Sequence, residues 1–98
     1  MSEPDNLAIA RISGAASRLT LGLDRDMPRD LAKAELKAIS RDPHILGIAL
    51  GDVLHQMATE SRGHQLTAEL LRQCGANENT AAKRLAWQQA GRPRRFTP

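Results

Sequence analysis

The chain has almost no aromatic residues and almost no sulfur-based chemistry. Among its 98 residues are one Trp, one Phe, no Tyr and one Cys. A single cysteine excludes an internal disulfide and a multi-thiolate zinc site. Two aromatic rings are too few to line an apolar ligand pocket. Val occurs once, and Val, Ile and Thr together number 11, which is too few for half-buried pleated sheets. The longest uncharged apolar stretch, residues 45–51, is far shorter than the roughly 20 residues that cross a bilayer. Glu3 and Asp5 stand at the amino end with no basic segment ahead of a hydrophobic one, so an unexported, cytoplasmic protein that leaves membranes alone is expected. No GxxxxGK loop and no nucleophile-elbow serine occurs. With no convergent acid and base groups either, neither an enzyme nor a bound cofactor is expected.

What is abundant is Ala and Leu, 28 residues together. They point to an all-α fold, a small single-domain bundle of about five short helices over residues 1–91, followed by a flexible, extended basic tail, residues 92–98. Arg outnumbers Lys by 11 to 3, a bias expected of GC-rich coding and hence of a small bacterial or phage protein. The net charge of +3 is unevenly placed. Residues 1–60 carry seven basic and nine acidic side chains, a net −2, whereas residues 61–98 carry seven basic and two acidic, a net +5. Such asymmetry points to a polyanion-facing end.

Punctuation and period place the helices. Ser2-Glu3-Pro4-Asp5 supplies a cap, and Ala8, Ile12, Ala15, Leu19 and Leu23 repeat at helical spacing, with Gly22 as the stop and residues 23–27 as a loop. Asp26 and Pro28 open a second helix with Leu31, Ala32, Leu36 and Ile39 on its apolar side. Asp42-Pro43 opens a third, the most apolar and so the central one, carrying Ile45, Leu46, Ile48, Ala49, Leu50, Val53, Leu54 and Met57 and ending at Arg62-Gly63. Gly47 and Gly51 share one of its faces, suited either to close packing within the molecule or to self-association. A fourth helix from about residue 64 to 74 buries Leu66, Leu70, Leu71 and Cys74, and Gly75 ends it. Asn77 caps a fifth, with Ala81, Ala82, Leu85 and Ala86 inward and Gly91 as its stop.

Residues 66–86, two helices joined through Gly75, Ala76 and Asn77, resemble the helix-turn-helix family. The resemblance implies a second helix that presents Asn79, Thr80, Lys83, Arg84, Trp87 and Gln88 to nucleic acid. Arg84 stands where that family has an interior position, and Leu85 beside it is the apolar residue. Gly91-Arg92-Pro93-Arg94-Arg95 resembles the AT-hook, a thin extended peptide that enters narrow A·T-rich minor grooves, with Ala90 in place of the first arginine. The same arginines also suit sequence-independent phosphate attraction.

Other constellations are weaker. His44, Asp52 and His55 lie roughly along one strip of the third helix, but the first two are about 12 Å apart along the axis, so no metal site is expected. Cys74 reads as a small core residue rather than a nucleophile. Trp87 is either folded over the bundle or a contact anchor. The leading expectation is a regulatory or accessory protein that binds nucleic acid, DNA above RNA, through Asn79, Thr80, Lys83, Arg84, Trp87, Gln88, Arg92, Arg94 and Arg95. The alternative is a non-enzymatic adaptor or inhibitor that docks on another protein or on a second copy of itself.

Overall fold

Asp42 and Pro43 open the helix around which the rest of the chain is arranged. In the computed structural model, which describes residues 3–56, 61–94 and 96, the Asp42 carboxylate accepts the backbone N–H of His44 at 2.9 Å. Proline takes the first helical position, where no N–H is needed. From there every residue from 45 to 51 is buried, and Val53 with them. Burying each large aliphatic side chain contributes about 1.5–3 kcal/mol, so this helix carries the core.

The described residues form five helices and no strand: α1 (Glu3–Asp24), α2 (Arg29–Ile39), α3 (Pro43–Gln56), α4 (Arg62–Gln73) and α5 (Glu78–Gln89). The fold is all-α. α1, α4 and α5 pack on α3, and α2 lies against α1 and α4, in a flattened body of 37 × 28 × 18 Å. No helix among the described residues is long and apolar enough to cross a membrane. The Ser2 cap and Met57 lie outside the described residues.

Several boundaries differ from the punctuation for physical reasons. α1 passes Gly22 and reaches Asp24, because the left-handed residue is Asp26, with φ of 64°. The N–H of Met27 then closes on the Gly22 carbonyl at 3.0 Å. Gly22 instead makes room for Met27, whose Cε would stand 3.0 Å from an added Cβ. Gly63 does not end α3 but lies in the first turn of α4, where Ser61 accepts the N–H of His64 at 3.1 Å. There the backbones of α1 and α4 nearly touch, since a Cβ on Gly63 would come within 2.1 Å of the Thr20 carbonyl. Buried hydroxyls of Thr20 and Thr67 meet at 2.7 Å across the same seam. On α2, Ala32 and Leu36 are buried as expected, but Leu31 is half-exposed. It sits about 100° around the helix from Ala32, outside the arc that α1 and α4 cover.

The largest departure is the rotation of α5. Its inward residues are Thr80, Ala81 and Gln88, with Arg84 beside them, whereas Ala82 and Ala86 are exposed and Leu85 is half-buried. Gly47 and Gly51 are the reason on the α3 side. A Cβ on Gly47 would lie 2.7 Å from the Asn77 carbonyl, and one on Gly51 would lie 2.6 Å from Arg84 Cβ and 2.7 Å from the Ala81 carbonyl. The glycine pair faces α5 inside the molecule and offers no outward face for self-association.

The glycines therefore separate into opposite classes. Gly14 is exposed in mid-helix, with nothing within 4 Å of an added Cβ. Gly14→Ala should stabilise the fold by about 1 kcal/mol through helix propensity. Gly51→Ala should destabilise it by about 1–3 kcal/mol through overpacking against backbone. Urea unfolding of the two variants tests this contrast, and equal midpoints would contradict the α3–α5 contact.

Candidate nucleic-acid interface

The carboxyl-terminal third is built from the turn that delivers α5. Gly75, with φ of 98°, ends α4 in a Schellman motif in which Ala76 N–H reaches the Leu71 carbonyl at 3.0 Å. Asn77 then caps α5 by accepting the N–H of Thr80 at 3.0 Å. Asn77 N–H also donates to the Pro43 carbonyl at 2.9 Å, which sets the start of α5 beside the start of α3. The two helices run side by side in the same direction. α4 and α5 do not form the principal contact of a helix-turn-helix pair, because α5 lies against α3.

Along that contact Asp52 of α3 gathers donors from two other helices. Arg84 Nε donates to Oδ1 at 2.7 Å and its terminal amine to Oδ2 at 3.3 Å. Gln88 Nε2 donates to Oδ1 at 2.5 Å, and Ser13 of α1 donates to Oδ2 at 3.1 Å. The Arg84 and Asp52 side chains are only 15% and 14% exposed. A carboxylate in this position is tolerated because the guanidinium supplies charge and fork geometry together. The network continues outward from Gln88, whose Oε1 accepts Arg92 Nε at 2.5 Å.

Arg84 also lies under two rings. Its guanidinium carbon is 4.3 Å from the Trp87 ring centroid and 5.2 Å from that of Phe96. The two rings meet edge to face at 5.7 Å. Trp87 is half-buried, and its indole N–H donates to the Pro93 carbonyl at 2.8 Å. Pro93 and Phe96 therefore lie back against α5 instead of extending away. Gly91 adopts φ of 85° and Arg92 φ of 57°, with Arg92 N–H closing on the Trp87 carbonyl at 3.0 Å. A left-handed Arg92 is not the extended Gly-Arg-Pro backbone of an AT-hook. The hydrogen bond to Gln88 helps to hold it against a backbone cost of about 1–2 kcal/mol.

The candidate residues are thus divided. Asn79, Lys83, Arg92 and Arg94 are exposed, while Thr80 and Gln88 are buried, Arg84 is committed to Asp52, and Trp87 is covered in part by Phe96 and Pro93. Arg95 lies outside the described residues. Thr80, Arg84 and Gln88 face inward because one buried carboxylate and two glycines outweigh what an alanine stripe can gain. A methyl group buries only about 0.8 kcal/mol worth of surface, whereas leaving Asp52 buried without a cation would cost several kcal/mol.

The residue that the pattern reading underused is Asp52. It is the only charged side chain from 45 to 54, and a lone acid in the most apolar helix demands a cation. Its role is the ion pair rather than metal ligation with His44 and His55. Among the described residues no three potential ligands converge. Burial pushes the Cys74 thiol above its ordinary range, although Lys37 and Lys33 nearby act in the opposite sense.

Removing either partner of the buried pair should cost about 3–5 kcal/mol. The double variant Asp52→Ala/Arg84→Ala should lose less than the two single variants added together, as a double-mutant cycle in urea would read. Deleting residues 92–98 should shift Trp87 fluorescence to longer wavelength as the ring meets water. Unchanged emission would contradict the folded-back segment.

Set beside known proteins, the chain matches no family model, and no curated protein and no solved structure is significantly similar to it.

Proposed function

We propose that the chain is a small, non-enzymatic nucleic-acid-binding accessory protein of the cytoplasm, with DNA as the favoured ligand, that holds the phosphate backbone through Lys83, Arg92, Arg94 and the adjoining Arg95. The observation that carries this reading is the unequal commitment of charge. Every described carboxylate whose side chain is placed, except Asp30, accepts a hydrogen bond from within the molecule. By contrast Lys83, Arg92 and Arg94 are exposed and have no carboxylate partner among the described residues. Ion pairing removes charges of both signs equally and leaves the net +3 in place, so these carboxyl-terminal cations stand unneutralised, and exposed cations attract phosphate without reading sequence. Base reading through α5 has less support, since its exposed residues are Glu78, Asn79, Ala82, Lys83, Ala86 and Gln89, an acid and two alanines among them.

One observation favours a second reading, docking on another protein. The outer side of α1 exposes Leu7, Ala10, Gly14, Ser17 and Leu21 along one strip, with Leu7 at 60% and Leu21 at 66% exposure.

Four phosphate contacts predict a slope of log affinity against log salt near −3.6, with Lys83→Ala and Arg94→Ala each reducing its magnitude by about 0.9. Fluorescence anisotropy with a labelled duplex measures it. Absence of binding at low salt, together with a dimer in sedimentation that Leu21→Asp dissociates, would favour the protein-docking reading instead.

A further inference from the structure

Basic side chains recur at every fourth residue from 25 to 41: Arg25, Arg29, Lys33, Lys37 and Arg41. Three of them fall on successive turns of α2, about 6 Å apart and within an arc of about 80°. Arg25 and Arg41 stand in the connections at its two ends. All are exposed except Lys33, which is half-buried, as expected when an aliphatic stem lies along the surface and the ammonium reaches water.

The acids interspersed among them are mostly occupied elsewhere. Asp26 binds Arg62 at 3.2 Å and Glu35 binds Arg18 at 3.0 Å, which leaves Asp30 as the one carboxylate of this segment without a cationic partner among the described residues. Lys33 and Lys37 both act electrostatically on Cys74 at the end of α4.

We propose that this ridge of α2 is a second phosphate-contact surface, made for the backbone of duplex nucleic acid. The inference rests on the nucleic-acid reading above and adds a separate element to it, since α2 packs on α1 and α4 while α5 packs on α3. The spacing suits the ligand. Arg29 to Lys37 spans about 12 Å of helix, and a duplex presents one phosphate charge per about 1.7 Å of axis, so each basic side chain can meet its own phosphate. An anionic membrane would supply similar charge. Helices that lie in an interface, however, also bury a face of large apolar side chains, and the outer side of α2 offers only Leu31 with Ala34 and Ala38.

The test is a salt titration of the full chain with a labelled duplex, comparing the unaltered protein with the triple variant Arg29→Gln/Lys33→Gln/Lys37→Gln. The triple variant should still bind through the carboxyl-terminal cations with the slope of about −3.6 that their four contacts set, shallower by about 2.7 than the roughly −6.3 of the unaltered chain with the ridge engaged. A triple variant that binds with an unchanged slope overturns the ridge and leaves the carboxyl-terminal reading standing. No binding by the unaltered chain overturns both. Loss of binding to phosphatidylserine-containing vesicles, with duplex binding intact, overturns the ridge in favour of a membrane surface. Should the triple variant lose its helical circular dichroism, Asp30→Asn decides: a several-fold tighter duplex complex supports the ridge, and unchanged affinity overturns it.

Discussion

A carboxylate placed in the most apolar helix is the constraint on which the rest of the structure depends. Asp52 must find several donors or leave an uncompensated charge in a site that is 14% exposed. Arg84 and Gln88 can reach it only if α5 comes close, and α5 comes close only because Gly47 and Gly51 remove the side chains that would hold it off. The position of Arg84 then decides where Trp87 lies, and Trp87 in turn takes the Pro93 carbonyl and the edge of Phe96. One buried acid thus organises the seam between α3 and α5 and the path of the chain beyond it.

The same constraint reshapes the surface. Polar side chains that an amphipathic reading assigns to solvent are drawn inward, and small apolar ones are left outside. What remains exposed on α5 is smooth and short in hydrogen-bond donors, with Lys83 as its one cation. A helix of that kind can approach a phosphate backbone closely, but it has few groups with which to distinguish base pairs. Charge also ceases to follow the halves of the chain. Within the more acidic half, Asp26, Glu35 and Asp52 are taken up by Arg62, Arg18 and Arg84, and basic side chains of α2 stay at the surface.

Most of the fold was legible in the sequence, because helix existence and the central helix follow from local rules. Asp42-Pro43, Asn77 and Gly75 perform as their chemistry requires, and α3 is buried over the whole run of apolar residues from 45 to 51. Legibility ended where a contact joins residues distant in the chain. Gly63 reads as a stop but serves the approach of α4 to α1, since the partner carbonyl, Thr20, is 43 positions away and leaves no local mark. Arg84 reads as a solvent-facing cation until Asp52, 32 residues earlier, is placed opposite it. The misfit of Arg84 with the interior position of a helix-turn-helix, and the isolation of Asp52 among aliphatic residues, were each visible alone. Only the structure makes them a single fact.

A domain with two aromatic rings has few bulky side chains with which to lock one helix against another, and α3 and α5 meet largely through small residues. Such a seam is prone to slide. The ion pair removes that freedom. Moving α5 by one turn would bring Thr80 or Gln88 opposite Asp52 in place of Arg84, and neither carries the charge that the carboxylate needs. The displaced register would leave a buried anion unpaired at a cost of several kcal/mol and drive side chains against Gly47 and Gly51. Whatever the net contribution of the pair to stability, its difference between registers is large, and that difference specifies one packing of α5. In this chain, a polar group performs the positioning that aromatic anchors perform in larger cores.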